Sequence, residues 1–218
     1  MRRLIALAVV GVLLALLIVA QLVLPGIAAD RLRDRLAGSG TVLEVKVSAF
    51  PAIKLLWHRA DHVVVRMADY RSGASNLGNT LAQTADVGAL DASAAEVDSG
   101  ALTLRNATLV KRGNELTAAA TVTEADLRAA VPFLQGVQPV ASSEGSLTLR
   151  GTASLLGFQA SVDATVAAEN GALVVAPNVP FGGIATITLF DNPHVRVQSV
   201  GAVALPGAFR ISAQAMLQ

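Results

Sequence analysis

An unbroken apolar run near the N-terminus constrains this chain more than any other feature. The run extends from Leu4 to Leu24, and only Gly11 and Gln21 in it fall outside the set Ala, Val, Ile and Leu. A helix of that length rises roughly 31 Å, which matches the hydrocarbon thickness of a bilayer. The run therefore predicts a membrane-spanning or membrane-targeting segment (residues 1–24) rather than a buried core helix.

The charges around the run predict its orientation. Arg2-Arg3 precedes it, and no acidic residue occurs before Asp30. Positive charge at this end places the N-terminus in the cytoplasm and the remainder of the chain outside. Two alternatives stay open: an uncleaved single-pass signal anchor, or a cleaved signal peptide with Gly26-Ile27-Ala28 as its cleavage site. The length of the run favours the anchor, and in both cases residues 25–218 form an exported domain, which is secreted if cleavage occurs.

Composition limits what the exported domain can be. The chain has 218 residues, of which 53% are hydrophobic and 15% charged, and its formal net charge is +1. The apolar excess excludes a disordered chain, and the low net charge gives no support for a nucleic-acid partner. The chain has no cysteine, so disulfides and cysteine-based metal or thiol chemistry are excluded and the fold must rest on burial.

Alternating apolar and polar residues recur along the exported domain. Residues 42–49 show the strict alternation of a half-buried strand. Similar segments follow, and Arg112-Gly113-Asn114 and Asn170-Gly171 are typical hairpin turns. This pattern predicts an α+β fold with a largely antiparallel sheet and two or three short helices.

Helices and breaks can also be placed along the sequence. We expect Pro25-Gly26 to end the N-terminal helix, because proline removes a backbone donor. A short polar helix is predicted at Asp30–Ala37. A second begins after Thr123, a helix cap, and continues to Leu134. Gly136–Ser143 reads as a linker.

Catalytic motifs are absent from the sequence. No G-x-S-x-G, P-loop or G-x-G-x-x-G motif occurs. His58 and His62 have the spacing of an inverted zinc-protease motif, but Val63-Val64-Val65 favours a strand, on which the two side chains would lie about 13 Å apart. A hydrolase would need His58, Asp61 and His62 to meet at one point. We therefore predict no enzyme activity, no metal and no cofactor.

The stretch from Phe50 to Asp69 is the most suggestive part of the sequence. It combines large apolar side chains with several basic ones. Buried acyl chains beside a basic group that meets the phosphate are what an anionic phospholipid requires. Core residues with solvated charges at the edges are the alternative interpretation.

Four places in the chain are similar to the LmeA-like phospholipid-binding family of actinobacterial envelope proteins. The first is the N-terminal apolar helix followed by a short polar one. The second is the alternating strand that leads into Ala49-Phe50-Pro51 and then Arg59-Ala60-Asp61-His62-Val63-Val64-Val65. The third is Val122-Thr123-Glu124-Ala125-Asp126-Leu127, and the fourth is the closing pair Ile184–Ala204 and Gly207–Met216. Ala49, Ala52 and Ala60 depart from the residues usual in the family.

This resemblance implies a tubular lipid-binding fold, in which a curved sheet wraps a helix and leaves an apolar groove. It also implies phospholipid binding outside the cytoplasmic membrane, in support of envelope lipid or lipoglycan assembly, with envelope-assembly proteins as further partners. A structural module that binds a partner envelope protein is the alternative function.

Candidate site residues follow from these patterns. For the headgroup we assign three basic residues: Lys54, Arg59 and Arg66. The groove-lining candidates are Phe50, Ile53, Leu56, Trp57, Leu127, Val131, Phe133, Leu134, Phe158 and Phe181.

Overall fold

A computed structural model shows one long N-terminal helix followed by a domain that consists almost entirely of β-strands. It describes residues 2–57, 59–72, 79–100, 102–126, 134–143, 145–155, 158–178 and 186–218. A short 3-10 helix (Ala52–Trp57) joins the first two strands. The helix and the twelve strands of the described part are α1 (Arg2–Ala37), β1 (Val42–Ser48), β2 (Ala60–Arg71), β3 (Val87–Asp98), β4 (Thr103–Arg112), β5 (Glu115–Thr123), β6 (Leu134–Ser143), β7 (Ser146–Leu155), β8 (Phe158–Glu169), β9 (Ala172–Pro177), β10 (Ile187–Phe190), β11 (Val195–Leu205) and β12 (Ala208–Leu217).

The strands form two sheets. The larger has seven strands in the order β1-β2-β3-β4-β5-β12-β11, and the smaller has the order β10-β9-β8-β7-β6. All the ladders that the structure describes are antiparallel except β2–β3, which is parallel. The predicted α+β class with a mostly antiparallel sheet is thus confirmed. The parallel pair requires the longer connection between Arg71 and Val87.

The register of the seven-stranded sheet separates its side chains into two faces. Leu90, Lys111, Leu116 and Ala215 are successive cross-strand partners on β3, β4, β5 and β12, and such partners point to the same side of a sheet. We call this side the apolar face. Its other members include Val45, Val63, Val65, Met67, Ala92, Leu109, Ala118, Ala120, Val122, Val200, Ala202, Phe209, Ile211 and Ala213.

The opposite side, the polar face, carries the residues that alternate with these. Among them are Glu44, His62, Arg66, Asp91, Arg112, Thr117, Arg210 and Gln214. Because one face is apolar and the other charged, the sheet can bury only one side.

The smaller sheet covers one end of the apolar face. Leu147 and Val166 of the smaller sheet form a buried cluster with Val200 and Ala202 of β11. The two sheets are also joined by backbone bonds, since Val200 N–H donates to the carbonyl of Gly145 at 3.0 Å. This contact buries Val200 and Ala202 of β11, at the edge of the apolar face.

The N-terminal helix differs from the prediction. The sequence predicts that Pro25-Gly26 ends the helix and that a second one spans Asp30–Ala37, but α1 is a single helix from Arg2 to Ala37 with Pro25 inside it. Proline inside a helix costs about 3 kcal/mol. Leu32 and Leu36 beyond it pack against the buried cluster of β2 and β3, and this burial offsets the cost. Within the described part of the chain, no helix is both long and apolar enough to cross a membrane.

The predictions for the middle of the chain are confirmed in part and wrong in part. Thr123 caps a helical turn, because its Oγ1 accepts the N–H of Asp126 at 3.1 Å. Residues 127–133 of the predicted helix lie outside the described residues, and Leu134, its predicted last residue, is instead the first residue of β6. Gly136–Ser143 is not a linker but part of β6. Its side chains do not alternate as in a typical strand, but its backbone groups form hydrogen bonds with β7.

The turn between α1 and β1 fixes the helix to the sheet. Ser39 N–H donates to the carbonyl of Leu36 at 2.8 Å, and the carbonyl of Ser39 accepts the N–H of Arg71 at 2.7 Å. A Cβ atom on Gly40 would lie 2.0 Å from the carbonyl oxygen of Asp69, whereas a Cβ on Gly38 meets no atom closer than 3.9 Å. Only a glycine at position 40 allows this approach to β2.

We therefore predict opposite outcomes for two neighbouring glycines. Gly40→Ala forces the backbone away from Asp69 and should lower the free energy of unfolding by more than about 2 kcal/mol. Gly38→Ala should change it by less than about 1 kcal/mol. Urea unfolding of both variants in mild detergent, followed by circular dichroism, measures the difference. Equal effects would contradict this account of the turn.

Candidate functional site

The centre of the apolar face is a row of incompletely covered apolar side chains, three of which are alanines. Ala92, Leu109, Ala118 and Ala213 form one cross-strand row over four adjacent strands. All four are only half-buried. Apolar surface left open to water costs about 25 cal/mol per Å². Such a row is therefore suited to contact an apolar group.

One charged side chain interrupts the middle rows of the apolar face. Lys111 has no exposed surface, and its Nζ donates to the carbonyl oxygen of Val87. Burial lowers the pKa of Lys111, and nearby Asp86 partly opposes that shift. Lys111 was not among the residues predicted from the sequence, although the hairpin register around Arg112-Gly113-Asn114 places it opposite Leu116.

A second apolar surface lies around the 3-10 helix. Ala52 is buried and Leu55 packs against the β2–β3 cluster. The remaining large side chains of this segment point outwards. Their exposed fractions are 77% for Phe50, 41% for Ile53, 60% for Leu56 and 65% for Trp57. We call these four residues the hydrophobic foot.

The side chain of Gln21 bonds the loop that carries the hydrophobic foot to α1. Gln21 donates its Nε2 to the carbonyl of Ala49 at 3.2 Å, and its Oε1 accepts the N–H of Ala52 at 2.7 Å. This polar residue of the apolar run thus satisfies two backbone groups of the loop. Its neighbours in α1, Ile18 and Leu22, are exposed.

Asp61 holds the same loop from the side of β2. Its Oδ2 accepts the N–H of Phe50 at 2.6 Å, and its Oδ1 accepts Lys54 Nζ at 3.1 Å. The Phe50 N–H and then the Lys54 ammonium hold the pKa of Asp61 below its usual range. The loop is therefore fixed to the sheet by a carboxylate that stays ionised.

The predicted headgroup residues occupy two places. Lys54 lies within the 3-10 helix, and Arg59 is exposed just after it. Arg66 lies on the polar face, where its Nη1 is 3.1 Å from Glu44 Oε2. The structure thus brings Lys54 and Arg59 to the hydrophobic foot but leaves Arg66 apart from them.

The predicted groove residues also divide into groups. Phe50, Ile53, Leu56 and Trp57 come together as the hydrophobic foot, at the surface beside α1 and not on the apolar face. Leu134 and Phe158 belong to β6 and β8, with side chains outside the described residues. Leu127, Val131, Phe133 and Phe181 lie outside them altogether. Their contact with lipid stays a prediction.

His62, one of the two histidines with the zinc-motif spacing, belongs to a hydrogen-bond network on the polar face. His62 Nε2 lies 2.6 Å from Asp91 Oδ2, and Arg112 Nη2 donates to Asp91 Oδ1 at 2.7 Å. Asp61 and His62 are successive residues of β2, so their side chains point to opposite faces. His58 lies outside the described residues. Among those the structure does describe, no group of side chains could hold a metal ion.

Comparison with known proteins identifies the family of this chain. A family model described as LmeA-like phospholipid-binding matches residues 17–207. No curated protein and no solved structure matches. The chain belongs to the LmeA-like phospholipid-binding family, which confirms the resemblance found in the sequence.

The contacts of Asp61 predict how the loop responds to acid. The pKa of Asp61 is lower in the folded protein than the usual carboxyl value of 3.8. Ionised Asp61 therefore stabilises the fold at pH values above 3.8, and this stabilisation is lost as the pH falls through the lowered pKa of Asp61. Trp57 is the only tryptophan and lies on this loop. Its emission should stay constant from neutral pH to about pH 5 and change only below the usual carboxyl range.

Two variants test this prediction. Asp61→Ala should show the altered emission already at neutral pH, whereas Asp34→Asn, at an exposed position of α1, should behave as the unmodified protein does. An unchanged neutral spectrum in Asp61→Ala would show that Asp61 does not hold the loop.

Proposed function

We propose that this member of the LmeA-like phospholipid-binding family holds the acyl chains of a phospholipid against the apolar face of its seven-stranded sheet. The half-buried row of Ala92, Leu109, Ala118 and Ala213 carries the proposal. It supplies a continuous apolar surface across four strands, and an acyl chain laid along it would remove that surface from water.

The charges of the protein favour an anionic phospholipid. Exposed Arg59 lies next to the hydrophobic foot together with Lys54, whose Nζ is 3.1 Å from Asp61 Oδ1. A phosphate accepts strong, charge-assisted hydrogen bonds from such groups. Arg66 is a weaker candidate, because it lies on the polar face, on the other side of the sheet from the apolar row.

The proposed location is the outer side of the cytoplasmic membrane. The apolar run from Leu4 to Leu24 supports a membrane tether, and Arg2-Arg3 before it supports an extracytoplasmic domain. There the protein would supply or retain lipid for envelope lipid or lipoglycan assembly without forming or breaking a bond.

Mass spectrometry of the purified protein tests lipid binding directly. Full-length protein extracted in mild detergent should carry phospholipid, with anionic species enriched over their share of the membrane. Protein recovered repeatedly without lipid, together with one stable protein partner, would instead favour the assembly-module alternative.

Neighbouring alanines on β5 provide a test of the face that binds. Ala118 lies on the apolar face and Ala119 on the polar face. Ala118→Phe places a bulky ring on the row and should reduce the bound phospholipid severalfold. Ala119→Phe adds the same group on the other side and should leave the amount unchanged. Equal lipid content in the two variants, with circular dichroism spectra like that of the parent, would contradict the assignment of the apolar face.

A further inference from the structure

The hydrophobic foot has no role in the proposed acyl-chain site. Its four side chains point away from the β2–β3 cluster that Leu55 joins, and all four are exposed. Soluble proteins rarely expose so many large apolar side chains on one short segment without a binding partner. A partner for this surface must therefore be sought outside the domain.

Gln21 fixes the position of the hydrophobic foot along α1. Its two hydrogen bonds hold Ala49 and Ala52 beside the last turn of the apolar run. At 1.5 Å per residue, Gln21 lies about 4.5 Å before Leu24 along the helix axis. The foot is thus at the level where the hydrocarbon of a bilayer would give way to headgroups. The exposed side chains of Ile18 and Leu22 continue the same apolar surface along α1.

The residue types and charges of this surface fit a membrane interface better than a protein. Tryptophan is enriched where hydrocarbon meets headgroups. Lys54 and exposed Arg59 flank the apolar side chains, and both would face anionic headgroups. Asp61, the acid bonded to this loop, is already matched by Lys54, so it adds little repulsion.

We propose that the hydrophobic foot inserts into the outer leaflet of the membrane from which α1 emerges. This inference rests on the proposed tether but not on lipid binding by the apolar face. Insertion holds the domain at a fixed height and orientation on the bilayer. The hydrogen bonds of Gln21 keep the hydrophobic foot in place beside α1.

Fluorescence of Trp57 in proteoliposomes tests the proposal, because this residue belongs to the foot and is the only tryptophan of the chain. The full-length protein is reconstituted into vesicles of phosphatidylcholine and phosphatidylglycerol, with and without bromine on the acyl chains. We expect brominated lipid to quench the emission and aqueous iodide to leave it nearly unchanged. Emission that iodide quenches and brominated lipid does not would overturn the proposal.

Two leucines with the same exposure serve as variant and control. Leu56 and Leu43 are each 60% exposed, but Leu43 lies at the opposite end of β1 from the loop that carries the foot. Leu56→Ser removes apolar area from the foot and should lower the quenching by brominated lipid by about half or more. Leu43→Ser should leave it unchanged. Equal losses in the two variants would overturn the proposal.

Two further measurements separate this inference from its alternatives. Ala118→Phe, which should lose the lipid on the apolar face, should keep the quenching of Trp57 by brominated lipid. Loss of quenching in that variant would show that the bound lipid, not the bilayer, lies against Trp57. Shielding of Trp57 from both quenchers, together with cross-links between copies, would show that a second copy of this chain covers the foot. Either result overturns the proposal.

Discussion

The strand register of the seven-stranded sheet is the constraint on which the rest of the structure depends. Because side chains alternate along a strand, a shift of one residue would exchange the two faces of that strand. The register aligns Leu90, Lys111 and Leu116 on one side and Asp91, Arg112 and Thr117 on the other. One face is therefore apolar, and its side chains are stabilised when other groups shield them from water. The other face is charged and remains in water.

The apolar face is not covered evenly. At the β11–β12 end the smaller sheet buries Val200 and Ala202. At the other end α1 packs Leu32 and Leu36 against β2 and β3. The row between them, which includes Leu109 and Ala118, remains half-buried. The row between the two covered ends is the place where we propose that phospholipid binds, and membership of a phospholipid-binding family supports this proposal.

The hydrophobic foot and the apolar face have different chemistry. Large side chains that project from a loop, such as Phe50 and Trp57, can enter a bilayer and leave it without rearranging the fold. Small side chains fixed in a sheet, such as Ala92 and Ala118, can only receive an apolar group laid against them. Gln21 and Asp61 hold the loop beside α1 and β2, so the proposed membrane contact and the proposed lipid site belong to one connected framework.

The sequence predicted those parts of the fold that depend on local patterns. Alternation identified β1, Thr123 identified a helix start, and Asn170-Gly171 identified a hairpin turn. Local patterns could not predict the helix across Pro25, because the burial of Leu32 and Leu36 that offsets its cost is a long-range contact. They also missed the parallel β2–β3 pair and β6, since pairing partners are not encoded in the alternation of one strand.

The difference between local patterns and long-range contacts also decides how much of the candidate site could be predicted. Composition indicated residues 50–69 as a candidate lipid contact, and the structure places Phe50, Ile53, Leu56 and Trp57 of this stretch at the surface. Lys111 and Gln21 were recognisable only after the register and the packing were known, because each is an ordinary residue type in the sequence. A buried position or a pair of backbone partners gives such a residue its significance.

Photo-crosslinking with a phospholipid that carries a diazirine in its acyl chain tests the central claim most directly. The full-length protein is loaded with this lipid, irradiated and digested, and the labelled residues are located by mass spectrometry. If the lipid is held on the apolar face, we expect labels on Leu109, Ala118 and Ala213. Labels confined to the polar face, or the absence of any label on β4, β5 and β12 in protein that carries the lipid, would contradict the account.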